Sequence, residues 1–208
     1  MSLSGPRTPS AKGFTLVELL IAVAVVAVLV ALAAPSFRDL ILMQRMKGIH
    51  AQLVTDLQYA RSEAVSSGAV VNVRVLPQLS PVPHTCYIVF HHFNRNYLTN
   101  GASSACNCRE PAGSRCPAST DFQELRTVQV PLNSGVTLAP GQTQRTFAFD
   151  PKTGGMMLTA NELGAGTGVA FMATVAIDAA RSLSAVIGLS GRTRICRPAG
   201  STLPDPAC

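Results

Sequence analysis

Between Phe14 and Ala34 the chain runs for 21 residues, FTLVELLIAVAVVAVLVALAA, with a single charge at Glu18. As a helix this stretch is about 31 Å long, enough to cross the hydrocarbon core of a bilayer. Residues 1–13, MSLSGPRTPSAKG, carry Arg7, Lys12 and no acid. That places the N-terminus in the cytoplasm and the bulk of the chain on the far side. A secretory signal peptide is the alternative, with Ala31-Leu32-Ala33 as a small-x-small cleavage site. Its apolar core is usually only about 7–15 residues, however, and has no place for a carboxylate. An acid inside a membrane helix costs on the order of a few kcal/mol, so Glu18 is expected to serve a function. Cutting between Gly13 and Phe14 creates an α-amino group close to Glu18. In a bundle of such helices, the amine of one chain can pair with the Glu18 of its neighbour and compensate both buried charges.

Beyond Pro35, Phe37, Leu40, Ile41, Ile49, Leu53, Leu57, Ala60 and Ala64 recur at three- and four-residue spacing. Arg38, Arg45, Gln52, Asp56 and Glu63 mostly fall elsewhere. This is an amphipathic helix continuing the apolar one, kinked or divided at Pro35 and ended by Ser66-Ser67-Gly68. From residue 69 the pattern changes to short alternating, β-branched runs: 69–76, 86–90, 128–130, 135–138, 145–149, 156–158, 169–177 and 183–189. Gly, Pro and Asn separate them. The expected fold class is α+β, a long N-terminal helix packed on an antiparallel β-sheet domain. The expected segments are a leader (1–13), a transmembrane half-helix (14–35), an amphipathic half-helix (36–67) and a β-domain (68–208). The stretch 94–121 reads as a long cysteine-rich surface loop, and Gly164–Gly168 as a turn.

All six cysteines, Cys86, Cys106, Cys108, Cys116, Cys196 and Cys208, lie beyond the membrane segment. An even number suits disulfides in an oxidising compartment. Zinc fits poorly, because Cys106-Asn107-Cys108 has only one intervening residue and the histidines form no ligand pair. Cys196 and Cys208 flank a Pro-rich tail without apolar pattern and are expected to pair, leaving Cys86 to pair within the 106/108/116 group. No catalytic constellation, cofactor motif or metal site is apparent. His91 and His92 read as a polar loop edge.

The net charge of +6 permits a polyanionic partner without demanding one. Near the C-terminus, Gly191-Arg192-Thr193-Arg194-Ile195-Cys196-Arg197 holds three arginines and no acid. Read as a strand continuing from Leu183, it places Leu183, Ala185, Ile187, Leu189, Thr193 and Ile195 on one face. Arg192 and Arg194 then share the other with Ser184 and Ser190, a parity that a bulge at Gly191 would break. Two guanidinium groups about 6.6 Å apart suit successive phosphates. Arg197 and Lys152 are expected to support them. The alternative is a sheet edge guarded by charge.

Gly13-Phe14-Thr15-Leu16-Val17-Glu18, followed by the unbroken apolar helix and Pro35, resembles the signature of type IV prepilins and type II secretion pseudopilins. The resemblance implies a prepilin peptidase that cuts after Gly13 and methylates Phe14, and a Glu18 that guides docking into a filament with other pilins. It also implies inner-membrane residence before assembly and a pilus afterwards. The run Gln58-Tyr59-Ala60-Arg61-Ser62-Glu63-Ala64 and the Gly-Arg-x-Arg motif at 191–194 are similar to the FimT/GspH group of minor pilins. In FimT-like members that motif implies a surface for duplex DNA, used in natural transformation. The GspH branch implies a structural pseudopilin of type II secretion, or a subunit that primes assembly, without DNA binding.

Overall fold

The computed structural model describes residues 13–93, 106–119, 121–141, 146–157 and 169–208. The chain divides into two units, Met1–Leu40 and Ile41–Cys208. One helix, α1 (Leu16–Ser67), has residues in both. It starts at Thr15, whose Oγ1 accepts the Glu18 N–H at 3.2 Å. Such a cap satisfies one of the donors left open at a helix start. In the first unit the large side chains from Leu16 to Leu32 are exposed, as are Phe37 and Leu40. Leu16–Leu32 taken with Ser36–Ser67 has the length and composition of a membrane span, which no single helical segment of the described residues has alone.

In the second unit, Met46, Leu53, Leu57, Ala60 and Ala64 form the fully buried stripe of α1. The sheets begin to cover the helix only around Met43 and Met46, so Ile41, expected on the stripe, is exposed. Asp56, expected toward solvent, is instead buried. The Tyr87 hydroxyl donates to its Oδ2 at 2.5 Å, and Arg126 lies 3.2 Å from its Oδ1. Both carboxylate oxygens are thus paired, which offsets the cost of burial. Burial, and then this bond, push the Tyr87 phenol well above its ordinary pKa. Gly68, at φ +66°, ends the helix.

Nine strands follow among the described residues: β1 (Val70–Leu76), β2 (His84–His92), β3 (Phe122–Pro131), β4 (Thr137–Pro140), β5 (Thr146–Phe149), β6 (Met156–Met157), β7 (Val169–Ala176), β8 (Ser182–Gly188) and β9 (Thr193–Cys196). They form two antiparallel sheets, ordered β3-β2-β1-β5-β6 and β4-β7-β8-β9. Val71, Val73 and Val75 of the first sheet, and Leu183, Ala185 and Ile187 of the second, join the helix stripe in one core. Alternation leaves Leu76, Cys86, Ile88 and Phe90 on the other side of the first sheet. There a second apolar cluster forms with Cys106 and Cys108. Disulfides Cys86–Cys108 and Cys106–Cys116 hold the described part of the cysteine-rich loop, 106–119, over this face. Arg74 Nη1 donates to the Cys106 carbonyl and Gln129 Nε2 to that of Cys108. Residues 94–105 of that loop and the turn at 164–168 lie outside the described residues.

Candidate functional site

The C-terminal arginines do not lie on one continuous strand. β8 ends at Gly188, and the chain reverses through Leu189, Ser190 and Gly191 before β9 begins at Thr193. The Gly191 N–H donates to the Gly188 carbonyl at 2.9 Å, and the Gly188 N–H to that of Arg192 at 3.1 Å. The cause is Gly191, at φ +74°, a conformation side chains rarely adopt. The reversal takes Leu189, expected to face inward, out of the alternation, and it is 53% exposed, while Thr193 and Ile195 keep the face of Ile187 and Ala185. In β9, Arg194 pairs with Val186 and Thr193 with Ile187. Ile195, also expected inward, is 44% exposed because β9 is the outer strand of its sheet.

Arg192 and Arg194 nevertheless remain together at the hairpin. Both are exposed, and neither side chain makes a hydrogen bond or ion pair among the described residues. Gly191 itself is buried against a second turn, Asp150–Gly155, where a Cβ at 191 would lie 2.1 Å from the Gly154 carbonyl oxygen. The same oxygen accepts the Nε–H of Arg61, from α1, at 2.9 Å. The Met156 N–H bonds the Leu189 carbonyl at 3.0 Å and completes the junction. Arg61 is therefore part of the site, although charge and spacing along the C-terminal segment could not reveal it. Its position in the Gln58–Ala64 run was the available signal.

Lys152 belongs to the Asp150–Gly155 turn and lines a separate groove with Ser67, Gly68, His92 and Met157. Asp150 organises that turn by accepting the N–H groups of Thr153 and Lys152, and these bonds, Thr153's foremost, hold its carboxyl below the usual range. Arg197, expected beside the motif arginines, is instead half-buried under the tail. Its Nη1 donates to the Ser201 carbonyl at 3.0 Å, and its backbone bonds Pro206 and Cys208. Cys196 and Cys208 form a disulfide that closes this tail. All six cysteines are in disulfides, so none is left as a thiolate metal ligand.

His91 is buried, not at a polar edge, with Nε2 3.2 Å from Glu63 Oε1. His92 stacks on Phe122 at a centroid distance of 4.6 Å, and burial lowers its pKa. In the first unit, Gly13 and Phe14 precede α1 and are exposed, and Glu18 is exposed in the first turn. A carboxylate there is favoured by the positive end of the helix dipole.

Comparison with known proteins places these features. The model described as "Prokaryotic N-terminal methylation motif" matches residues 9–34. The model described as "Type II transport protein GspH" matches residues 51–191 and so stops just before Arg192. No curated protein matches significantly. Among solved structures, the chain is similar to the type IV minor pilin FimU of Pseudomonas aeruginosa strain PAO1 in two crystal forms. In space group P21 the identity is 16%, the match covers 73% of this chain and 88% of that chain, and the TM-score is 0.41. In space group P65 the values are 16%, 72%, 90% and 0.39. Membership of this structural, pilin-like family carries with it processing by a prepilin peptidase, assembly with other pilins, and residence in the inner membrane and then the pilus. With the GspH model spanning most of its length behind a methylation motif, the chain belongs to the GspH family of minor pilins and pseudopilins.

Proposed function

We propose that this chain is a minor type IV pilin that binds DNA through the Gly191–Arg194 hairpin and serves DNA uptake in natural transformation. The observation that carries the reading is the pair of side chains of Arg192 and Arg194, exposed and without partners among the described residues, on a hairpin anchored by a buried glycine. Unpaired guanidinium groups on a fixed turn present phosphate-binding forks with little left to organise on binding. Lys152 adds charge on the adjoining turn. Few base-reading groups accompany these cations, so the binding is largely independent of sequence. Processing cuts between Gly13 and Phe14, and Glu18 then pairs with the new amine of a neighbouring subunit during assembly.

The second reading is a structural pseudopilin of type II secretion, favoured by the match to the model described as "Type II transport protein GspH". Titration of residues 36–208 with several unrelated DNA duplexes separates the two. We expect micromolar or weaker affinity, with a log–log salt slope of about −2 to −4 for two to four neutralised phosphates. Arg192→Gln with Arg194→Gln is expected to weaken all duplexes alike. Unchanged binding at matched salt would reduce the arginines to an edge guard and favour the pseudopilin.

A further inference from the structure

Resting on the DNA reading, we infer that the binding surface is not the β9 strand face alone. It is the groove between the end of α1 and the β8–β9 turn, with Arg61 as a third phosphate ligand. The groove has a volume of about 670 Å³ and is lined by Arg61, Ser62, Val65 and Ser66 of the helix and by Arg192 and Thr193 of the hairpin. Its two cations come from chain segments more than a hundred residues apart, and each is held differently. Arg192 extends from the turn fixed by Gly191. Arg61 is half-buried, and its one hydrogen bond, Nε–H to the Gly154 oxygen at 2.9 Å, leaves both Nη groups without partners among the described residues.

That single bond gives Arg61 two roles. Its Nε holds the Asp150–Gly155 turn, against which Gly191 is seated, so Arg61 positions the motif glycine. Its Nη groups add a second guanidinium fork to the one Arg192 supplies. The hydroxyls of Ser62, Ser66 and Thr193 line the same groove, beside the half-exposed aliphatic wall of Val65. This chemistry matches a phosphodiester ridge: charged forks and the Thr193 hydroxyl for the phosphate oxygens, and an aliphatic surface for the deoxyribose, while the Ser62 and Ser66 hydroxyls donate to the Tyr59 and Glu63 carbonyls. The C-terminal end of a helix disfavours anions. The groove therefore depends on its two guanidinium groups and should be sensitive to a single added carboxylate. Arg194, outside the groove, takes a neighbouring phosphate.

The test uses the full chain in detergent micelles and a fluorescein-labelled 12-base-pair duplex, read by fluorescence anisotropy. Ser62→Glu and Ser66→Glu place carboxylates in the groove at exposed helix positions. Gln52→Glu places one on the same helix about 15 Å away, at 1.5 Å per residue, beyond the screening length of about 8 Å at physiological salt. We expect each serine variant to bind at least tenfold more weakly and Gln52→Glu to stay within twofold of the parent, with thermal melts alike. Arg61→Gln is expected to reduce the salt slope by about one, the signature of a lost phosphate contact. Serine variants that match Gln52→Glu, while Arg192→Gln with Arg194→Gln still weakens binding, would overturn the groove and leave the DNA reading standing. A parent chain that binds no duplex would overturn both.

Discussion

Two segments of the β-domain are closed by disulfides, and the same bond does different work in each. Over the first sheet, Cys106 and Cys108 are fully buried and pack with Leu76, Ile88 and Phe90. The sulfur atoms there form part of a hydrophobic layer over that sheet. At the C-terminus, Cys196 is buried but Cys208 is exposed. The tail between them is held mainly by polar contacts: Arg197 N–H to Pro206, Ser201 Oγ to the Ser182 carbonyl, and Leu203 as the partly buried apolar anchor. Cysteine count treats the two alike. What distinguishes them is how much apolar surface reopens when the bond is lost.

That contrast predicts an order of effects. Replacing Cys86 and Cys108 together with alanine removes a crosslink and two buried side chains from an apolar cluster. We expect a loss of about 3–5 kcal/mol in the urea stability of residues 36–208. A loss below that of the tail variant described below would show that the loop does not act as a second core.

The next effect falls at the hairpin. Gly191→Ala forces a side chain into a left-handed backbone and against the Gly154 oxygen, so one of the two turns must move. We expect about 2–4 kcal/mol of destabilisation from strain and repacking combined. DNA affinity should fall with it, because Arg192 follows the displaced turn. A variant with parental stability would mean that the two turns can separate without cost.

Replacing Cys196 and Cys208 with alanine tests the clasp. The closed loop is short, with a sequence separation of 12, and the chain-entropy model gives about 3 kcal/mol as an upper figure. With little apolar surface reopened, we expect about 1–3 kcal/mol in urea. DNA binding should be retained, since Arg192 and Arg194 are fixed by Gly191 and by β8 rather than by the tail. Loss of binding without loss of fold would make the tail part of the interface.

The contrast also explains what the chain reveals before folding is known. The apolar run with Glu18, the helix stop at Gly68 and the alternation of β1 are local patterns, and each is legible where it stands. The clasp between Cys196 and Cys208 is local too. Asp56 misleads because its partners, Tyr87 and Arg126, are remote, and periodicity alone assigns a carboxylate to solvent. Arg192 misleads in a subtler way. Alternation carried β8 through Leu189-Ser190-Gly191, although a Ser-Gly pair is a turn signal and Gly191 indeed takes a positive φ. The junction of Arg61 with Gly154 spans 93 residues. Only the fold brings together the helix, the Asp150 turn and the arginine hairpin, so the composition of the groove could not be read from any one segment.

The smallest expected effect joins the tail to the helix. His50, on α1, is buried, and its Nε2 has no partner among the described residues. Burial lowers its pKa, opposed by a hydrogen bond to the Ser184 backbone and by the charge of Asp205 in the tail. A base whose pKa is lower in the folded state than the ordinary value of about 6.5 takes up its proton more readily when unfolded. Its contribution to stability is therefore complete above that pH and is lost as the pH falls below it. Urea midpoints of residues 36–208 should accordingly decline between pH 7.5 and 5.5, and His50→Leu should flatten the decline. His92, less buried and also lowered, leaves a residual slope. Asp205→Asn removes an opposing charge, so it should steepen the decline while leaving the midpoint at pH 7.5 nearly unchanged. An unaltered decline in Asp205→Asn would show that the clasped tail does not act electrostatically on the helix.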